Sequence, residues 1–135
     1  MNFSDTIGIS AAGMQVQAKR LQVAAENLAN SETTGTSPGA DPYRRKTITF
    51  KEMLDRSTGT SSVAVKEVGE DQSAFEMRYD PAHPAADTKG MVKMPNVDSM
   101  TEILDTHEAQ HSYEANLNTM QITRSMLTRT INLMK

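Results

Sequence analysis

The amino-acid sequence predicts a mainly α fold: long N- and C-terminal helices pairing as a coiled coil, with a small irregular, β-containing segment between them. Three observations predict it. Apolar residues recur at alternating spacings of four and three along residues 7–28 and again along 113–134, the pattern of a helix with a continuous seam. Residues 98–135 hold no glycine or proline and residues 1–30 no proline, whereas 31–97 are punctuated by Gly, Pro, Ser, Thr and Asp, which are turn and loop residues. Bulky rings are scarce, with three Phe, three Tyr and no Trp against ten Met in 135 residues. The core must therefore rely on Met, Leu, Ile, Val and Ala rather than on aromatic anchors. The chain divides into 1–30, 31–97 and 98–135, expected to act as one structural unit.

The first segment carries no net charge, with Lys19 and Arg20 against Asp5 and Glu26. Its seam is Ile7, Ala11, Met14, Ala18, Leu21, Ala25 and Leu28, alternating large residues with alanine. That alternation predicts a partner approaching closely along the alanine side. A second stripe, Ile9, Val16 and Val23, runs along roughly the opposite face, as in a helix contacted from more than one side. Residues 4–29 would form a rod of about 39 Å. The simpler alternative is a helix packed only on its own domain's core.

The middle segment opens with an irregular loop at 31–42, where two Gly, two Pro, three Thr and two Ser cluster. Residues 46–50 (KTITF), 63–68 (VAVKEV) and 74–79 (AFEMRY) alternate or are β-branched, so each is a strand candidate. Residues 80–87 (DPAHPAAD) form a turn-rich loop, and a short apolar piece, Met91-Val92, precedes Pro95. Few large residues are present to give this segment a core of its own. Its ten acids and nine bases are nearly balanced, as on a solvated surface.

In the last segment, Asp98 or Ser99 can cap the helix, and Glu102 stands in capping-box position three residues after Ser99. The acids Asp98, Glu102, Asp105, Glu108 and Glu114 all lie in the first half, and the bases Arg124, Arg129 and Lys135 in the second. That polarity complements the helix dipole near both ends. The seam is Tyr113, Leu117, Met120, Arg124, Leu127, Ile131 and Met134, and a second stripe runs through Ala115, Ile122, Met126 and Leu133. Arg124 interrupts the seam and needs an acidic or carbonyl partner if buried. Two mated helices bury one stripe each; the stripes left over point to neighbouring chains.

Composition excludes several functions. The net charge is −3, from 14 basic and 17 acidic residues, so no basic excess points to nucleic acid or an anionic membrane. The absence of cysteine removes disulfides, thiolate nucleophiles and cysteine metal sites. The longest uncharged, apolar-leaning stretch, 6–18, is too short and polar to span a bilayer. The first residues lack the basic and apolar regions of a cleavable secretory signal, so export is expected to use another route. No cofactor, small-molecule substrate or catalytic residue is indicated.

One motif argues otherwise. Residues 107–111 read HEAQH, a literal H-E-x-x-H whose His107 and His111 share one helix face with Glu108 between them. A working zinc site needs a third ligand. The metzincin extension would require Gly at 114 and His at 117, where this chain has Glu114 and Leu117, and no Asp, Glu or His follows Glu114. The motif is expected to be a polar helix face matching by coincidence, with no metal ligands. The basic run Arg44-Arg45-Lys46, near Asp41, Glu52 and Asp55, is expected to make surface or inter-subunit salt bridges rather than bind phosphate.

Three stretches resemble a known family. AENLAN at 25–30, with Asn27 and Asn30, followed by Thr33, Thr34 and Gly35, is similar to the N-terminal signature of flagellar rod and hook proteins. Pro42-Tyr43 with the following RRK, then DPAHPAAD at 80–87 and VKMPNV at 92–97 (Met94, Pro95, Asn96, Val97), form the second. SYEAN at 112–116 (Ser112, Tyr113, Glu114, Ala115, Asn116), followed by SML at 125–127, forms the third. Together they narrow the resemblance to proximal rod subunits, from about residue 7 to the C-terminus. Met91 stands where these proteins often carry an aromatic, and the 31–41 loop looks family-variable.

The resemblance implies a structural protein, not an enzyme. It implies export through the flagellar type III apparatus without a cleaved signal, and assembly in the periplasm with itself, other proximal and distal rod subunits and a rod-base adaptor. It also implies terminal helices that pair and pack on neighbours without entering a membrane. On this reading the Ile7–Leu28 and Tyr113–Met134 seams mate within a subunit, and Ile9, Val16, Val23, Ile122, Met126 and Leu133 face adjacent subunits. A coiled-coil adaptor or secretion chaperone is the alternative.

Overall fold

Helix α1 (Phe3–Ala29) and helix α2 (Ser99–Leu133) lie side by side in a computed structural model that describes residues 3–56 and 59–134. Lys135, counted above among the bases, lies outside the described residues. The helices run antiparallel: Asn27 meets Glu102 and Arg20 meets Glu108, while Gly13 faces Asn116. Asp98 is the N-cap of α2; its carboxylate accepts from the Met100 N–H at 3.0 Å and from the Thr101 hydroxyl at 2.7 Å, satisfying donors that the first turn leaves open. Glu102 does not close a capping box. It turns inward instead.

The middle segment corrects the sequence reading. It is not a small irregular stretch with incidental strands but two antiparallel two-stranded sheets. Strands β1 (Lys46–Asp55) and β2 (Thr60–Glu70) form a long hairpin with a register shift between Thr49 and Phe50. Strands β3 (Glu76–Tyr79) and β4 (Met91–Met94) form the second sheet. The three strand candidates fall in or against these strands, and the Met91-Val92 piece opens β4. The hairpin extends beyond its legible alternation because cross-strand pairing, not burial, holds its outer half: from Thr49 to Asp55 every residue of β1 is exposed.

The seam of α1 is also corrected. The residues it buries are Ser10, Val16, Val23, Ala24 and Asn27, while Ala18, Ala25 and Leu28 are exposed. Val16 and Val23, expected to face neighbours, instead pack inside the chain. The buried face is displaced by about one residue, roughly 100° around the helix. The close approach comes from small residues that the seam omitted: a Cβ on Gly13 would stand 2.9 Å from the Asn116 amide nitrogen, so the helices touch there only because the side chain is a hydrogen.

On α2, Tyr113, Met120 and Leu127 are half-buried as seam residues, but Leu117, Arg124, Ile131 and Met134 are exposed. Arg124 therefore needs no buried partner. Among the described residues the buried apolar ones, prolines aside, are Val16, Val23, Ala24, Ala85, Val92 and Ala109, all small or β-branched and none Met. Among the described residues, no helix is long and apolar enough to cross a membrane.

Candidate functional site

The elements meet in a polar clasp at one end of the helix pair. Asn27, 1% exposed near the end of α1, is its centre. Its carbonyl accepts from the Lys46 backbone N–H at 2.8 Å and from the Tyr43 hydroxyl at 2.9 Å. Its amide donates to the Lys46 carbonyl at 2.9 Å and to Glu102 Oε2 at 3.2 Å. One side chain thus binds the start of β1, the segment before it and the first turns of α2. Glu102, also 1% exposed, accepts from Arg45 Nε at 2.6 Å through its other oxygen. A buried carboxylate needs such partners to offset lost hydration.

Around this centre charges are paired within the chain. Arg20 donates to Asp105 at 2.9 Å and Glu108 at 3.0 Å. Desolvation opposes its charge, but the hydrogen bonds to Glu108 and Asp105 outweigh it and raise the Arg20 pKa. The hydrogen bond from Lys46 holds the Glu26 carboxyl below its ordinary range, and the same bond raises Lys46. Burial pushes the Tyr43 hydroxyl up. Arg44 lies over the Phe75 ring, 4.3 Å from its centroid, in cation–π geometry. The 44–46 run thus forms ion pairs and a ring contact inside the chain; its ion-pair partners include Glu26, Asp71, Glu102 and Asp105.

Asn96 is a second buttress. Its side-chain oxygen accepts from the Arg45 N–H at 2.8 Å, and its amide donates to the Asp71 carbonyl at 3.0 Å and the Ser73 hydroxyl at 2.9 Å. Next to it in the chain Pro95 is buried and Met94 and Val97 half-buried; Pro42 is also buried. Asn30 donates to the Glu26 carbonyl and accepts from Thr33, shaping the turn out of α1. Thr34 lies 3.4 Å from His83 Nε2. Gly35 packs so closely on Ala40 that a Cβ would stand 2.7 Å from the Ala40 methyl. Of the SYEAN residues, Ser112, Tyr113 and Asn116 turn partly inward and Glu114 and Ala115 outward.

The proposed contact residues are more dispersed. Ile7, Ile9, Ala11, Met14 and Leu21 are half-buried, whereas Ile122, Met126, Ile131, Leu133 and Met134 are exposed. His107, Glu108 and His111 lie on the exposed side of α2, with Glu108 held by Arg20. Among the described residues, no group of three or more His, Cys, Asp or Glu could hold a metal ion. Sequence reasoning missed Glu102 and Arg45 as partners. A polar Asn27 on the face shared by Val23 and Ala24 was the available signal.

Comparison with known proteins bears on this arrangement. Residues 88–133 match the family model of the C-terminal part of flagellar basal-body rod FlgEFG proteins. The flagellar basal-body rod protein FlgC of Agrobacterium fabrum is 50% identical over 127 residues, covering 94% of this chain and 91% of that protein. The Escherichia coli FlgC is 39% identical, covering 93% and 92%; that of Bacillus subtilis is 32% identical, covering 96% and 97%. With the two-helix frame and its agreement with these relatives over more than nine-tenths of their length, the chain belongs to the family of flagellar basal-body rod proteins FlgC.

Proposed function

We propose that this chain, a structural subunit of the flagellar basal-body rod and not an enzyme, takes its place in the proximal rod and transmits torque by packing its helices against neighbouring subunits. The observation that carries this reading is the exposed apolar surface of α2: Ile122 is 57% exposed and Leu133 88%, a costly surface for an elongated helix pair unless neighbours cover it. Elsewhere on the chain Leu28 of α1 and Phe50, Met53 and Leu54 of β1 are also exposed. The partners are copies of itself, other proximal and distal rod subunits and a rod-base adaptor. The chain reaches them through the flagellar type III export apparatus and assembles in the periplasm. The loop at 31–42 and the segment around 80–97, which includes β4, brace adjacent subunits, and the three segments act as one unit.

The test places a charge on an exposed contact residue. Leu28→Asp and Ile122→Asp should leave the isolated chain as stable as the parent, yet abolish swimming and rod assembly. Normal swimming with both changes would sink the assignment of these faces.

A further inference from the structure

The chain holds three histidines, and the fold uses them differently. His83 is spent inside the chain: its Nδ1 accepts from the Ala85 N–H at 3.1 Å, and its Nε2 lies 3.4 Å from the Thr34 hydroxyl. His107 and His111 are exposed, and neither makes a hydrogen bond or ion pair with the described residues. Both stand well inside α2, four residues apart. At that spacing their Cβ atoms are about 5–6 Å apart on one helix face, close enough for two imidazoles to grip a single ion.

The surroundings suit a cation. The nearest base across the helix pair, Arg20, is answered by Asp105 at 2.9 Å and Glu108 at 3.0 Å. Glu114, exposed, stands one turn beyond His111 on the same face and adds negative charge. Arg124, the first base of α2, is about 20 Å farther along the helix axis.

We propose that His107 and His111 form a two-imidazole chelate on the outer side of α2 for a late first-row divalent cation, Cu(II), Ni(II) or Zn(II), with water in the remaining positions. This gives the HEAQH run two metal ligands where the sequence reading expects none. Imidazole suits these cations, whereas Mg(II) and Ca(II) take oxygen ligands. The site binds and does not hydrolyse. Among the described residues no group of three His, Cys, Asp or Glu closes around an ion, and Glu108, which a zinc hydrolase would use as its base, is committed to Arg20. The helix supplies the affinity: once one imidazole is bound, the other is held beside the ion at a high effective concentration. Such a site works in the single chain and does not depend on assembly into a rod.

The chain has no cysteine, so no thiolate competes in the test. The full, untagged chain is titrated with Cu(II), Ni(II) and Zn(II) separately in a non-coordinating buffer and read by isothermal calorimetry. One cation per chain is expected, with Cu(II) the tightest of the three, and Mg(II) should give no binding. His107→Ala and His111→Ala should each weaken binding about tenfold or more, because either removes the second grip. His83→Gln should leave it unchanged. In the Cu(II) paramagnetic-resonance spectrum, each of the two alanine variants should lose one coordinating nitrogen relative to the parent. Circular dichroism confirms that each variant stays helical. Binding that survives replacement of both His107 and His111, or no saturable binding of any of the three cations, overturns the site and leaves the rod-subunit reading intact.

Discussion

The two ends of the helix pair are built on opposite principles. At the clasp end, where α1 finishes and α2 begins, Asn27 and Glu102 are buried and their polar atoms are answered by Tyr43, Arg45 and Lys46. At the far end, Ile122, Met126, Ile131, Leu133 and Met134 of α2 are exposed. One end satisfies its buried polar groups within its own chain, with Leu28, Met100 and Leu104 exposed on its outer side; the other has no such centre and presents mainly exposed apolar side chains. On the proposed reading the difference separates folding from assembly along a single pair of helices: buried polar contacts hold the end where the segments converge, and the exposed apolar side chains of the far end are left for neighbouring subunits.

The most damaging change to the clasp end should be Asn27→Ala. It leaves the Lys46 N–H and carbonyl, the Tyr43 hydroxyl and one Glu102 oxygen without their partner, and unsatisfied buried groups cost on the order of 1–3 kcal/mol each. A loss of about 3 kcal/mol in urea unfolding is expected; a loss indistinguishable from zero would mean the clasp is not the stable end. Glu102→Gln should cost less, about 2 kcal/mol. It preserves shape, and Arg45 retains Asp71 and Asp105, each 3.8 Å away.

Acid should loosen the same end. Hydrogen bonds hold several carboxyls below their ordinary range: from Lys46 to Glu26, from the Ser73 backbone to Asp71, and from the Thr101 hydroxyl to Asp98. Groups whose folded pKa is depressed stabilise the fold above their unfolded pKa, and that contribution is lost as pH falls through the folded value. The urea midpoint should therefore hold between about pH 7 and 5 and decline below about pH 4. A midpoint that rises on acidification contradicts the pairing. The smallest effect belongs to the far end. Ile131→Ser and Leu133→Ser should shift the stability of the isolated chain by no more than about 0.5 kcal/mol while impairing motility, the reverse of what the clasp variants do per unit of lost stability.

This contrast was only partly legible in the sequence. Both long helices were, because periodicity and the absence of proline are local signals. The rotation of the α1 seam was not. Ile7 and Leu28 are the larger apolar residues, so they dominate a pattern count, whereas the face that packs includes Ser10, which is buried, and Gly13, against which the Asn116 side chain lies closely. The hairpin was half legible: KTITF alternates, but KEMLD at 51–55 reads as helix-forming residues, and only pairing with β2 makes it a strand. Asn27, Tyr43 and Asn96 were marked by family resemblance, without a role. Their role depends on Arg45 meeting Glu102 across 57 residues of chain, and no local pattern reports a contact at that separation. The H-E-x-x-H string shows the opposite failure, a local pattern whose residues the fold places on an exposed helix side.

The direct test of the account is amide hydrogen exchange on the dilute chain and on the same chain in assembled rods. Residues 20–29 and 98–109 should be protected in both. Residues 122–134 should exchange rapidly in the dilute chain and become protected on assembly. Equal protection of the two ends in the dilute chain, or no gain at 122–134 on assembly, would contradict the division between a self-sufficient end and an adhesive one.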